Sequence, residues 1–283
     1  MKIAIIGGSG LIGSALNKKL EATIVSRSGP VTMDDFLGKE MFCRYDVIIN
    51  LAGQSIDTLW WSKRTKNRII NSRCDVIQRL TKAAIAHNHA PWLIQASGQS
   101  YYGLFEKSLH RFTEQEAPEP SNTFMQNVAY AIEKSCKSYP GQTTILRIAP
   151  VLTPSAGVFS KLTMISRLRL HLVPGSGRQM FSWIALEDLV ASFEIIFKFK
   201  LMGSINMASP NAVSFDTMYR SIQSILPGLK VHIPAIFYRL ILGEKSQLIL
   251  LGNEMYPEKL LQHKMVFQYP NFETFCHHAL DKP

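Results

Sequence analysis

Apolar and polar positions alternate along this chain in two different periods. Lys2-Ile3-Ala4-Ile5-Ile6 is a short isoleucine-rich run of the kind that forms a strand buried on both faces. The glycine-rich stretch Gly7 to Gly13 follows, and then a helical pattern with Leu11, Ile12, Ala15, Leu16 and Leu20 on one side. Further strands are expected at Ala22-Thr23-Ile24-Val25, Asp46-Val47-Ile48-Ile49, Trp92-Leu93-Ile94-Gln95-Ala96 and Thr144-Ile145-Leu146-Arg147-Ile148. Between them, residues 62 to 87 read as a helix with Ile69, Ile70, Val76, Ile77, Leu80 and Ala84 inward, and residues 122 to 138 as another. Alternating strands and helices predict an α/β fold, a doubly wound parallel sheet covered on both faces.

Beyond Pro150 the texture changes. Glycine and proline become frequent, elements shorten, and Pro174-Gly175-Ser176-Gly177-Arg178 reads as a loop. The expected division is a nucleotide-binding domain over 1–150, with elements of about 185–210 returning to it, and a substrate-binding region over 151–283.

The stretch after the first strand carries the candidate chemistry. Gly7 suits backbone angles closed to other residues, Gly10 lets a diphosphate approach the main chain, and Gly13 lets the helix pack on the strand. The diphosphate would sit on backbone N–H groups of Ser9, Leu11 and Ile12, where the helix dipole favours negative charge. At the end of the second strand an NAD-binding fold places a carboxylate for the ribose 2′-hydroxyl. Here the residues are Ser26-Arg27-Ser28. A guanidinium and two hydroxyls suit a 2′-phosphate, so the expected cofactor is NADP(H); a solvent-facing Arg27 is the plain alternative. Small residues after the third strand, Leu51-Ala52-Gly53, would let the backbone approach the same ligand.

Composition narrows the class. The 283 residues are 46% apolar, enough for an ordinary core, and no apolar run reaches the roughly 18 residues that span a bilayer. No leader precedes the first strand, so a cytoplasmic protein with no membrane partner is expected. The four cysteines are widely spaced, as reduced packed thiols are, and the eight histidines show no metal-ligand spacing. A net charge of +10 and the basic run from Lys63 to Lys82 invite a nucleic-acid reading. The cations are spread around a helix and no groove-reading motif accompanies them, so no nucleic acid is expected.

Taken together, the glycine turn, Asn50-Leu51-Ala52-Gly53, Ser97 ahead of Tyr101-Tyr102-Gly103, and Arg147 resemble the extended or atypical short-chain dehydrogenase/reductase superfamily. Trp61-Ser62, Asn71-Ser72-Arg73, Gly175 to Gln179, Ser182-Trp183-Ile184, Glu187-Asp188-Leu189-Val190 and the tail from Ile233 to Pro270 resemble, more narrowly, the NAD-dependent epimerase-like family with a small C-terminal module of unknown function, here about 230–280. The resemblance implies NADP(H) bound across a Rossmann core, with Arg73 on a phosphate or ribose; an exposed helix arginine is the alternative for Arg73. It implies an oxidoreductase or epimerase transferring hydride on a small, sugar- or nucleotide-linked substrate, and a homodimer is common in the superfamily. A catalytically silent cofactor-binding regulatory or scaffold protein is the competing expectation.

In that superfamily a tyrosine relays a proton, a serine orients the substrate oxygen, and a lysine one turn on lowers the tyrosine pKa. Tyr130 and Lys134 have that spacing, with Ser97 upstream. Relatives generally lack the pair, and alignment on Phe124 and Glu133 puts the vacant positions near Met125 and Ala129. The helical pattern turns Phe124, Val128, Ala131, Ile132 and Cys136 inward and Tyr130, Glu133, Lys134 and Lys137 to a polar side, cleft or solvent. Tyr102, Arg178 and Trp183 are candidate substrate contacts, each with a packing or loop role as its alternative. Glu187 and Asp188 read as helix-start carboxylates.

Overall fold

The first strand, Ile3–Ile6, is buried at every position, which is why it carries only apolar residues. The computed structural model describes residues 1–27, 29–58, 60–108 and 110–280, and the chain divides into two units. The first holds Met1–Gly98, Asn127–Arg147 and Ile196–Ile205; the second holds Gln99–Gln126, Ile148–Ile195 and the chain from Asn206 onward.

A six-stranded sheet organises the first unit. Its strand order is Gly203–Met207, Thr143–Ile148, Trp92–Gly98, Val47–Asn50, Ile3–Ile6 and Thr23–Val25. Ile3–Ile6 pairs in parallel with both neighbours, Ala4 lying opposite Thr23 on one side and Ile48 on the other. Val47–Asn50 pairs in parallel with Trp92–Gly98, Asn50 opposite Gln95. The chain leaves the first strand toward one edge and then returns to its other flank. That reversal makes the carboxyl ends of Ile3–Ile6 and Val47–Asn50 the switch point, where open parallel sheets bind ligands.

Helices cover this sheet. Lys63–Ala86 starts at Ser62, whose hydroxyl accepts from the Thr65 N–H at 3.2 Å, and turns Ile69, Ile77, Leu80 and Ala84 inward. One core cluster joins Ala4, Ile6, Val25, Ile48 and Leu93 of the strands to Leu80, Ala83 and Ala84 of that helix, with Phe36, Phe42 and Tyr45. The helix Leu11–Leu20 buries Gly13 and Leu16. Leu11, expected inward, is 40% exposed.

The second unit is built from short strand pairs and helices. Leu170–Pro174 pairs in parallel with Leu229–Ile233, and Met180–Phe181 pairs antiparallel with Val213–Ser214. Its core gathers Phe159, Phe181, Trp183, Phe215, Tyr219, Phe272 and Phe275. Gln99–Gln126 clusters with the second unit, and Ile196–Ile205 with the first. The reason is local pairing, since Arg111–Phe112 forms a parallel ladder with Glu254–Met255.

All four cysteines are free, and Cys74, Cys136 and Cys276 are buried. Among the described residues no helix is long and apolar enough to cross a membrane, and no three His, Cys, Asp or Glu side chains gather where a metal could be held.

Candidate functional site

At the switch point the glycines have distinct surroundings. Gly7 has φ +81°, and a Cβ on it would lie 2.9 Å from the Ala52 nitrogen and the Leu51 carbonyl carbon. Only a residue without a side chain lets the turn lie against Leu51-Ala52. At Gly13 a Cβ would fall 2.6 Å from the Gly8 Cα, so the helix rests directly on its own turn. Gly10 differs. It is the N-cap of Leu11–Leu20, with φ −77°, and a Cβ there would meet only the Gly7 carbonyl oxygen at 3.5 Å.

No side chain caps that helix, and its first turn has no acidic residue. The Ser14 N–H bonds the Gly10 carbonyl at 2.8 Å, while the N–H groups of Leu11, Ile12 and Gly13 meet no acceptor among the described residues. Ser9 beside them is exposed. Unpaired donors at the positive end of a helix, in front of an open glycine, form a cradle for an anion.

A second wall rises from the third strand. Asn50, wholly buried, donates to the Gln95 Oε1 at 2.7 Å and accepts the Ala52 N–H at 3.1 Å, which fixes the start of the Leu51-Ala52-Gly53 loop. Ser72 accepts the Gln54 N–H at 2.9 Å. Arg73 Nη1 donates to the carbonyl oxygens of Gln54 at 3.1 Å and Ile69 at 2.9 Å, and its guanidinium lies where a Gly53 side chain would stand, 2.7 Å from such a Cβ. Its Nε and Nη2 meet no acceptor among the described residues. Half-buried, it is held below its ordinary pKa by desolvation, a loss that an incoming anion would offset. Beyond the second strand Ser26 is half-buried and Arg27 exposed, with no acidic partner among the described residues; Ser28 lies outside them.

The helix Phe124–Cys136 departs from expectation at one position. Glu133, assigned to the polar side, is buried and paired through both oxygens with Arg147 on the strand Thr143–Ile148. The hydroxyl of Ser97, near the end of Trp92–Gly98, donates to the Glu133 Oε1 at 3.2 Å. A buried partner, which periodicity cannot see, turned a polar residue inward. Val128, Ala129 and Ile132 are also buried, whereas Asn127, Lys134 and Lys137 are exposed and Tyr130 is half-buried. At 100° per residue Tyr130 and Lys134 fall on the outward arc shared with Asn127 and Lys137, and Met125 and Ala129 fall on the inward arc. Ser97 is thus brought to Glu133, and Lys134 is turned away from it.

In the second unit, Tyr102 and Trp183 do not fit the expectation of substrate contact. Tyr102 is wholly buried, stacked 5.1 Å from Phe112, and its hydroxyl donates to the Asn206 Oδ1 at 2.8 Å. Trp183 is wholly buried between Phe272 and Phe275, and its indole donates to the Asn211 carbonyl at 3.1 Å. Both rings are packing elements with satisfied polar tips. Arg178 is exposed, beside Gly177 at φ +68°. Asp188 does more than begin a helix: its carboxylate accepts the N–H groups of Gln268 at 2.6 Å and Tyr269 at 3.0 Å, and so fastens the C-terminal segment.

A parallel sheet with this glycine turn at its switch point defines a protein of the dinucleotide-fold class. The chain belongs to the NAD dependent epimerase/dehydratase family, whose model matches residues 3–204, and a domain of unknown function, DUF1731, matches residues 233–279. It is 26% identical to the mouse epimerase family protein SDR39U1 over 97% of this chain and 98% of the relative. The identity to an epimerase family protein of Staphylococcus haemolyticus is also 26%, over 98% of both chains. Among solved structures, human SDR39U1 (isoform 2) with NADPH superposes with a TM-score of 0.89 at 22% identity, covering 100% of each chain. A nucleoside-diphosphate sugar epimerase from Corynebacterium glutamicum superposes with a TM-score of 0.75 at 22% identity, over 99% of this chain and 58% of that one.

Proposed function

We infer that the first unit binds NADP(H) and that the protein is an oxidoreductase or epimerase acting on a small substrate, sugar- or nucleotide-linked, by hydride transfer. The observation that carries the reading is the uncapped helix start behind Gly10, facing the loop that Asn50 and Arg73 hold in place. In this reading the diphosphate lies on the N–H groups of Ser9, Leu11, Ile12 and Gly13, with Gly7 and Gly10 giving access. Arg27, with Ser26 and Ser28, holds the 2′-phosphate. Leu51, Ala52 and Gly53 take the adenosine side, and the free Arg73 nitrogens reach a phosphate or ribose. That a relative's structure contains NADPH supports the choice of cofactor, and the sugar-nucleotide epimerases of the same fold support the substrate class.

When bound, the nicotinamide supplies a hydride donor or acceptor. The chain's own contribution would be to orient the reacting oxygen, and Ser97 suits this because its hydroxyl is held by Glu133. Tyr130 and Lys134 are the candidates for moving the proton. The outward placement of Lys134 favours a second reading, in which the protein binds NADP(H) without that relay or acts as a silent regulatory or scaffold protein.

Calorimetry with NADPH and NADH tests the cofactor. NADPH is expected to bind the more tightly, and Arg27→Ala to remove most of the difference, about 2 kcal/mol for a charge-assisted phosphate contact. Absence of heat with NADPH would end the reading. Equal affinity for the two nucleotides would end the assignment of Arg27.

A further inference from the structure

The second unit exposes an unusual apolar surface. Of the fifteen large hydrophobic residues that stand exposed among the described residues, nine fall in 158–168 and 229–241. The parallel pairing of Leu170–Pro174 with Leu229–Ile233 joins the two segments through one ladder, the first leading into its start and the second running on from its end. At one end of that ladder Leu168, 79% exposed, and Leu229, 67% exposed, adjoin through the bond from the Leu229 N–H to the Arg169 carbonyl. Met164 and Ile165 stand one turn back on the helix Gly157–Ser166.

From the other end the chain enters the helix Ala235–Leu242, which buries no residue fully. Ala235, Tyr238 and Leu242 are half-buried. Ile236, Phe237, Leu240 and Ile241 are each more than half exposed, so the outward arc is apolar and the usual polarity of a surface helix is reversed. Such exposure is too great for the wall of a small-molecule pocket and marks a site of macromolecular or membrane contact.

Charge decides between occupants. Residues 158–169 and 229–241 contain Lys161, Arg167, Arg169, Lys230 and Arg239 and no acidic residue. Lys230 is paired with Asp216 and Arg239 with Glu106, both outside the two segments. With those two carboxylates counted, the named residues still carry three more cations than anions, and a second copy meeting this surface about a two-fold axis would set like charge against like. An anionic lipid surface offers the complementary charge, and apolar side chains interspersed with Lys and Arg are what an interfacial segment presents to it.

We propose that the surface formed by 158–169 and 229–241 seats this protein on an anionic lipid bilayer, with Ile236, Phe237, Leu240 and Ile241 entering the headgroup boundary. The contact is peripheral and needs no spanning helix. It is independent of nucleotide binding, since none of these residues belongs to the glycine site.

Flotation of the full chain with phosphatidylcholine vesicles, with and without phosphatidylglycerol, tests it. The protein is expected to float with the anionic vesicles only, and added salt to release it. Phe237→Glu with Leu240→Glu, exposed positions where folding is expected to survive, should lower binding at least ten-fold with the melting profile retained. Lys161→Ala and Arg167→Ala should each weaken it about five-fold. Failure of the wild type to float overturns the proposal. So does a dimer in sedimentation that the Phe237/Leu240 variant dissociates while vesicles stay bare.

Discussion

Glu133 and Arg147 form a two-point ion pair inside the first unit, Nε to Oε1 at 3.0 Å and Nη2 to Oε2 at 2.9 Å, with side chains only 9% and 5% exposed. The Ser97 hydroxyl bonds the same carboxylate. Helix, strand and strand end are thus joined by one charged node. Removing one partner leaves a buried charge uncompensated, so Arg147→Met should cost about 3–5 kcal/mol. Glu133→Leu combined with Arg147→Met should cost much less than the sum of the single changes. Urea unfolding of the four proteins measures this, and a cost below about 1 kcal/mol for Arg147→Met would refute the node.

Gly7 and Gly10 separate folding from binding. At Gly7 the positive φ alone costs an alanine about 1–2 kcal/mol, and its Cβ would also press on Leu51 and Ala52. Gly7→Ala should therefore lower thermal stability. At Gly10 the backbone is open to any residue and the space ahead is free. Gly10→Ala should lose only about 1 kcal/mol of stability, the margin of glycine over alanine at an N-cap, yet bind NADPH at least ten-fold more weakly, because the methyl group stands where the diphosphate must approach. Wild-type NADPH affinity in a folded Gly10→Ala protein would place the nucleotide elsewhere.

Much of this was legible in the sequence because short periods carry it. The strands Ile3–Ile6 and Val47–Asn50, the glycine turn and the long helix Lys63–Ala86 each announce themselves within a few residues. What escaped depends on partners distant in the chain. Glu133 falls on the polar side of its helical pattern, cleft or solvent, because its cation is on another element; the lone arginine in the otherwise apolar run around Leu146 was the available signal. Trp183 reads as a candidate substrate contact because the rings that enclose it, Phe272 and Phe275, come about ninety residues later. The second unit is made of two- to five-residue strands, too short for alternation to register.

Lys134 is exposed on the outward arc of the helix Phe124–Cys136, away from the Glu133 contact to Ser97. Lys134→Ala should change neither stability, within about 0.5 kcal/mol, nor affinity for NADPH. If NADPH-dependent turnover of a sugar-nucleotide ketone is found, its rate should survive the same change. A hundred-fold loss of kcat with KM unchanged would restore the proton-relay role of the Tyr130 and Lys134 pair.

Glu114 gives the second unit a stability that depends on pH. Its carboxylate is buried, accepting the Asn206 N–H at 2.9 Å and the Lys259 N–H at 3.4 Å. Burial pushes its pKa above the ordinary value of 4.5, against those hydrogen bonds and the Lys259 charge, which pull it down. A carboxyl with a raised folded pKa holds its proton more tightly in the native state, so its contribution is fully present below the unfolded value and is lost as pH rises through the folded one. The urea midpoint should therefore decline across that window in the wild type. Glu114→Gln, which keeps an acceptor oxygen and has no proton to lose, should flatten the decline measured as pH rises above the ordinary carboxyl value. Parallel curves for the two proteins would show that the ionised carboxylate is carried at no cost, and that the backbone donors of Asn206 and Lys259 compensate its desolvation in full.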